Sequence, residues 1–233
     1  MINDMKTTHL FVLSMALVMS LAGCKDNKGN NPENPQTGES VVKSTTSVNG
    51  GNGIIIEALM KDGTRQYYKV ITPSEVGVTN YYAYYASDGF KEYDYKGSVV
   101  IPESITHEGT TYSVTNVLGG NASSASKCLT SAFFNCTDLK SVTLPRTINK
   151  IETCAMRLRK EYEPDKVISN DLVLICLAPN PPALGQQELN LPQNPDWEWG
   201  WAYATIKVPS ASVDAYKSAD MWALYKDYIE AIE

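Results

Sequence analysis

One stretch, residues 132–156, constrains the fold more strongly than the rest of this 233-residue chain. Its opening pair Ala132-Phe133 returns as Ala155-Met156, and aliphatic residues lie between the two pairs at uneven intervals. Neither the helix period of about 3.6 residues nor the two-residue period of a strand produces this spacing. A return after roughly 20–50 residues is typical of a solenoid, whose coils pack on their neighbours. We therefore predict that 132–156 forms one coil of a solenoid.

The segment 139–144 is the predicted strand of this coil. We expect Leu139, Val142 and Leu144 to point into the coil. Ser141 and Thr143 then face outward on the sheet, because successive side chains of a strand point to opposite faces. The buried residues specify the fold and say little about a ligand, whereas Ser141 and Thr143 form a candidate secondary binding surface.

The spacing within 132–156 resembles the BspA-type leucine-rich repeat, Ala-Phe-x-x-Cys-x-x-Leu-x-x-Val-x-Leu-Pro-x-x-Ile-x-x-Ile. The matching positions are Ala132, Phe133, Cys136, Leu139, Val142, Leu144, Pro145, Ile148 and Ile151. Segments 95–102 and 206–217 are similar to the lead-in strand and the tail of that family, so the resemblance covers roughly 54–233. Met156 replaces the second Phe, Arg159 stands where the next Cys would be, and insertions at 118–131 and 157–171 interrupt the pattern.

The resemblance implies a mainly β fold: a short leucine-rich-repeat solenoid with a β-rich N-terminal cap and a short C-terminal helix. A single coil cannot bury its own apolar face, so the flanking segments must act as caps. We assign 54–117 to the cap and lead-in strands and 118–233 to the coils and C-terminal cap, together one folding unit. The motif Asp62-Gly63 predicts the turn of a hairpin over 54–71.

Further elements are predicted in the second part of the chain. The apolar run 172–177 is typical of a strand covered on both sides, and 205–209 is predicted to be the last strand. A helix is expected to begin at the N-cap Ser212 and to carry Val213, Tyr216 and Ala219 on one face.

The segment 1–23 reads as a signal peptide. Its apolar run at 10–22 is shorter than the roughly 20 residues of a membrane span. Leu21-Ala22-Gly23-Cys24 resembles the lipobox of bacterial lipoproteins, which implies that Cys24 is lipidated and anchors the chain. An ordinary secretory signal with an incidental cysteine is the alternative.

The segment 24–53 is predicted to be the lipidated cysteine and a flexible tether. It is rich in Asn, Gly, Pro, Ser and Thr, and such a composition offers little apolar surface to offset the entropy of ordering. Lys25-Asp26 after the cysteine resembles the export signal of surface lipoproteins in Bacteroidetes. We therefore expect an outer-membrane lipoprotein exposed at the cell surface, with a periplasm-facing position as the alternative.

The sequence offers little for catalysis or metal binding. Cys136 and Cys176 are expected to be buried thiols, whereas Cys128 and Cys154 are expected to be exposed and able to form a bridge. His107, in a predicted turn, is the only histidine after the signal peptide and is expected to be solvated. No cofactor, no metal and no enzymatic activity are predicted. The alternative is a glycosidase-like carboxylate pair, Asp196 and Glu198.

The run Asp196-Trp-Glu-Trp-Gly-Trp201 is the sharpest candidate binding feature. In an extended segment Trp197, Trp199 and Trp201 share a face, as a stacking platform for a sugar or an anchor for a protein, or they close the end of the solenoid. The net charge of −6 argues against a nucleic-acid partner. The BspA resemblance implies a noncovalent adhesion module for a host or neighbour-cell protein. A glycan-binding accessory lipoprotein and a structural envelope protein are the alternatives.

Overall fold

Two β-sheets make up most of the structure. A computed structural model describes residues 41–50, 53–80, 95–120, 131–133, 136, 138–156, 172–185 and 204–233, all within the unit Gln36–Glu233. The strands are β1 (Val42–Gly50), β2 (Gly53–Met60), β3 (Arg65–Thr72), β4 (Glu75–Thr79), β5 (Gly97–Val100), β6 (Ser104–His107), β7 (Thr110–Val117), β8 (Leu139–Leu144), β9 (Lys150–Ile151), β10 (Leu172–Cys176), β11 (Ala183–Leu184), β12 (Ala204–Val208) and β13 (Ile229–Ala231). The helical elements are a 3₁₀ turn (Ser210–Ser212), helix α1 (Val213–Ser218) and a 3₁₀ helix (Trp222–Tyr228). The predicted mainly β fold with a short C-terminal helix is therefore confirmed.

The first sheet has eight strands, in the order β1-β2-β3-β4-β7-β9-β11, with β6 paired to β7 beside this path. Strands β1 to β4 are antiparallel neighbours. The predicted hairpin is present as β2 and β3, with Gly63 at a φ of 87° in the turn between them. Glycine favours this left-handed conformation because it has no Cβ to clash. Beyond β4 the pairing becomes parallel through β7, β9 and β11.

The second sheet has five strands in the order β13-β12-β10-β8-β5, and every pair is parallel. From β5 to β12 the chain alternates between the two sheets. Buried residues align across the second sheet in one row: Val99, Val142, Leu174, Ile206 and Ile229. This row faces the apolar core that the two sheets share.

Prolines follow four strands of the second sheet: Pro102, Pro145, Pro179 and Pro209. Proline has no N–H to donate to a ladder, and its ring restricts φ to a narrow range, so each strand stops close to its proline. The same strand-and-proline pattern therefore recurs beyond the stretch 132–156.

The predicted tether is wrong for residues 42–50, which form β1. This strand pairs with β2 from Val42↔Met60 to Gly50↔Gly53. Its polar composition is typical of disorder, but a ladder with a neighbouring strand satisfies its backbone regardless of side-chain polarity. Residues 1–40, including the predicted signal peptide and Cys24, lie outside the described part of the chain.

Side-chain hydrogen bonds connect the parallel sheet and the C-terminal helical segment to the rest of the fold. The Gln66 side-chain amide on β3 donates to the carbonyl of Val100, on the edge strand β5, at 2.9 Å. The Trp222 indole N–H donates to the carbonyl of Pro182, just before β11, at 2.7 Å. Ser212 lies at the N-cap position of α1, as predicted, but its hydroxyl makes no capping bond and instead donates to the Pro179 carbonyl at 2.7 Å.

Two glycines mark close backbone approaches between successive passes of the first sheet. An ideal Cβ at Gly119 would lie 1.9 Å from the Thr153 carbonyl oxygen, and one at Gly185 would lie 2.3 Å from the Thr153 nitrogen. Any side chain at these positions would collide with backbone. The glycines therefore permit backbone-to-backbone packing on both sides of Thr153.

Candidate functional site

The outer face of the five-stranded sheet is the candidate site. Strand register aligns its outward side chains in two rows, which we call the open face. The first row is Ser98, Ser141, Val173 and Thr205, and the second is Val100, Thr143, Ile175, Lys207 and Glu230. Because side chains alternate along a strand, these residues point away from the buried row.

The centre of the open face is apolar and flanked by hydroxyl groups. Val173 and Ile175 of β10 are half-buried, and Val100 is 42% exposed. Ser141 and Thr143 on β8 are also half-buried. Neighbouring strands lie about 4.8 Å apart, so adjacent side chains in a row shield one another from solvent.

The only charges among the open-face residues belong to an ion pair at one edge. The Lys207 Nζ atom lies 3.4 Å from a carboxylate oxygen of Glu230, and their side chains are 29% and 54% exposed. Exposed pairs of this kind contribute about 0–1 kcal/mol to stability. The pair leaves the open face electrically neutral, unlike the chain as a whole, whose net charge is −6.

The structure describes only some of the predicted binding residues. Ser141 and Thr143 lie on the open face, while their role in binding stays a prediction. Trp197, Trp199 and Trp201, with the carboxylates between them, lie outside the described residues. For these tryptophans, the binding and end-closing interpretations both stay open.

Val173 and Ile175, the apolar centre, are among the open-face residues that the sequence interpretation missed. The sequence predicts that segment 172–177 is covered on both sides, but its burial alternates and one face is only half-buried. A continuous apolar run does not distinguish the two cases. The prediction that 205–209 is the last strand is also wrong, because β13 pairs with β12 beyond it.

The described cysteines are all buried. Cys136 and Cys176 are buried as predicted, whereas the predicted exposure of Cys154 is wrong. The Tyr216 hydroxyl lies 3.3 Å from the Cys176 sulfur, and burial raises the pKa of both groups. These two groups therefore stay protonated at neutral pH. The predicted bridge to Cys128 involves a residue outside the described part of the chain.

His107 occupies an unexpected place. The sequence predicts a solvated turn residue, but His107 ends β6 and is only 7% exposed, because β1 lies against it. The Ser47 Oγ atom lies 2.6 Å from Nε2, and the Thr45 Oγ1 atom lies 3.1 Å from Nδ1. The Thr45 hydroxyl donates to the Thr106 carbonyl at 2.9 Å.

These contacts assign the protons of the cluster. The single hydroxyl proton of Thr45 goes to the Thr106 carbonyl, which can only accept. Nδ1 of His107 must therefore donate to Thr45, and in the neutral ring Nε2 accepts the proton of Ser47. The sequence could not reveal this contact, because Ser47 and His107 lie 60 positions apart and the residues of β1 read as a tether.

Comparisons with known proteins add no family. No protein-family model matches the chain, and no curated protein matches it. In the described ranges, no helix is long and apolar enough to cross a bilayer. No group of three or more His, Cys, Asp or Glu side chains in these ranges is placed to hold a metal ion.

Proposed function

We propose that the chain is a cell-surface lipoprotein whose folded part is a short BspA-like leucine-rich-repeat solenoid that binds other proteins noncovalently. Three features support the solenoid: the alternation of the chain between two sheets, the parallel register of β5, β8, β10, β12 and β13, and the close backbone approaches beside Thr153. The lipobox-like Leu21-Ala22-Gly23-Cys24 supports the anchor.

The open face is the observation that carries the binding function. Aliphatic side chains between hydroxyl groups, with a compensated charge pair at the rim, resemble the apolar centre and polar rim of a protein interface. Sugars are typically held by aromatic stacking and by planar polar groups, and the two rows contain no aromatic, amide or unpaired carboxylate group. A protein of a host or neighbouring cell is therefore the favoured partner.

The size of the open face sets the expected strength of binding. Five strands at about 4.8 Å spacing and two rows of side chains give roughly 300 Å². A standard interface buries about 800 Å² on each partner, so we propose weak binding by each copy. Many copies anchored on one cell would gain avidity, because each further contact is made at high effective concentration.

The test is binding of cells that display the full chain to a panel of immobilised extracellular-matrix proteins. Ile175→Glu places a carboxylate at the apolar centre of the open face, beside the already paired Lys207, and gives the face a net negative charge. We expect it to lower the amount bound at least tenfold. Leu224→Glu is the matched control, because Leu224 is an exposed aliphatic residue of the C-terminal 3₁₀ helix, outside the open face. The control should bind like the wild type.

Other outcomes would redirect the proposal. Equal binding by both variants would contradict a role for the open face. Binding to a glycan array that disappears in Trp199→Ala would move recognition to the tryptophan segment and to sugars. Cells whose copies resist external protease would contradict surface exposure and favour a structural role in the envelope.

A further inference from the structure

We propose that Ser47 is an activated nucleophile that takes an acyl group from small activated esters or thioesters, with His107 as its general base. The site is separate from the open face and does not depend on the proposed binding function. A nucleophile, a base and a group that orients the base are the three parts that such a site requires.

The first two parts are an accessible hydroxyl and the base to which it already donates. Ser47 is exposed on β1, and its Oγ lies 2.6 Å from His107 Nε2, within the range for proton transfer. His107 is only 7% exposed, so its position is fixed by the surrounding strands, whereas Ser47 is an exposed residue. An incoming ester can therefore reach Ser47 without an opening of the fold.

The third part is the orientation of the base. Thr45 lies two residues before Ser47 on the same face of β1 and accepts the Nδ1 proton at 3.1 Å. Its own hydroxyl proton is held by the Thr106 carbonyl. This arrangement keeps Nε2 free of a proton, which is the form that can remove the proton of Ser47. Thr45 is thus a positioning residue.

Beyond these three parts, the site offers compensation for the charge that forms on the ring. A Glu108 carboxylate oxygen lies 3.8 Å from Nε2 and carries the opposite charge to a protonated imidazole. Glu108 is exposed, so its effect is screened, but it favours an uncharged over an anionic acyl donor. The expected substrate class is therefore a small neutral ester or thioester.

The reaction balances without a further reagent. The Ser47 oxygen forms a bond to the acyl carbon while the bond from that carbon to the leaving alkoxide or thiolate breaks. The Ser47 proton passes to His107 Nε2 and then to the leaving group. Water can later attack the acyl-serine, with the same nitrogen accepting and returning a proton.

The experiment exposes the full chain to 4-nitrophenyl acetate and follows nitrophenolate release together with the mass of the peptide that contains Ser47. We expect one acetyl group on Ser47. Ser47→Ala should abolish this acetylation. His107→Gln should lower the rate about 100-fold or more, the usual contribution of a general base.

The controls separate reactivity from structure. Ser44→Ala removes another exposed serine of β1 and should leave the rate unchanged. Thr45→Ser keeps the orienting hydroxyl and should keep the rate, whereas Thr45→Val should lower it, with both folds checked by urea unfolding. Acetylation of Ser47 no faster than that of Ser44, or an unchanged rate in His107→Gln, would overturn the proposal.

Discussion

The substitution Gly119→Ala tests whether successive passes of the chain pack backbone to backbone. The new Cβ would lie 1.9 Å from the Thr153 carbonyl oxygen, whereas ordinary contact begins at 3.4 Å. The carbonyl must therefore retreat by the whole difference between these two distances. The same carbonyl accepts the Gly120 N–H at 3.0 Å, so the retreat also strains that hydrogen bond.

The expected loss of stability follows from these two effects. Forcing one extra carbon into a packed region costs about 1–3 kcal/mol, with the upper end expected because backbone cannot rotate away. Weakening a buried hydrogen bond adds about 1 kcal/mol. We expect Gly119→Ala to lower the free energy of unfolding by about 4 kcal/mol, which corresponds to a fall in Tm of roughly 8–16 °C for a folded unit of this size.

Urea unfolding followed by circular dichroism measures this loss. Gly77→Ala is the matched control, because the nearest atom to its new Cβ is a side-chain carbon of Leu118 at 2.6 Å, which can rotate away. The control should lose no more than about 1 kcal/mol. Equal, small losses in both variants would refute the close backbone approach at Thr153.

Two further predictions concern hydrogen bonds at the C-terminal cap and in the first hairpin. Tyr216→Phe removes the hydroxyl that donates to the Ala178 carbonyl at 2.8 Å, and should lower the free energy of unfolding by about 1–3 kcal/mol in urea titration. The side chain and then the backbone of Thr64 lower the pKa of Asp62 by donating to its carboxylate. The Asp62 carboxylate therefore stabilises the fold at pH values above the ordinary carboxyl pKa, and this stabilisation is lost as the pH falls through the lowered pKa. At neutral pH the free energy of unfolding of the wild type should slightly exceed that of Asp62→Asn, and this difference should vanish as the pH falls through the lowered pKa. Unfolding measured from neutral to acid pH checks this. A difference that does not depend on pH would contradict the assignment.

The parts of the fold that the sequence predicted are those with local or repeated patterns. The inward positions Leu139, Val142 and Leu144 follow from one repeat, and the first hairpin follows from Asp62-Gly63. These features depend on strand alternation and turn chemistry, which residues close in sequence determine. The mainly β class follows from the same reasoning.

The parts that could not be predicted depend on distant partners. The polar sequence of β1 predicts disorder. Its pairing with β2 and its contact with His107 order this strand in the structure. Val173 and Ile175 belong to an apolar run whose burial alternates because one face of the sheet packs on the core while the described residues leave the other face half-buried. Local composition cannot encode either outcome, because each is decided by tertiary packing.

The most direct test of the central claim is site-specific photo-crosslinking from the open face. A photoreactive amino acid replaces Ile175 in the displayed full chain, or Leu224 as the control position. Each is then irradiated in the presence of the matrix protein that the panel identifies. The proposed binding mode predicts a covalent complex from position 175 and none from position 224. Crosslinking from position 224 alone, or equally from both, would contradict it.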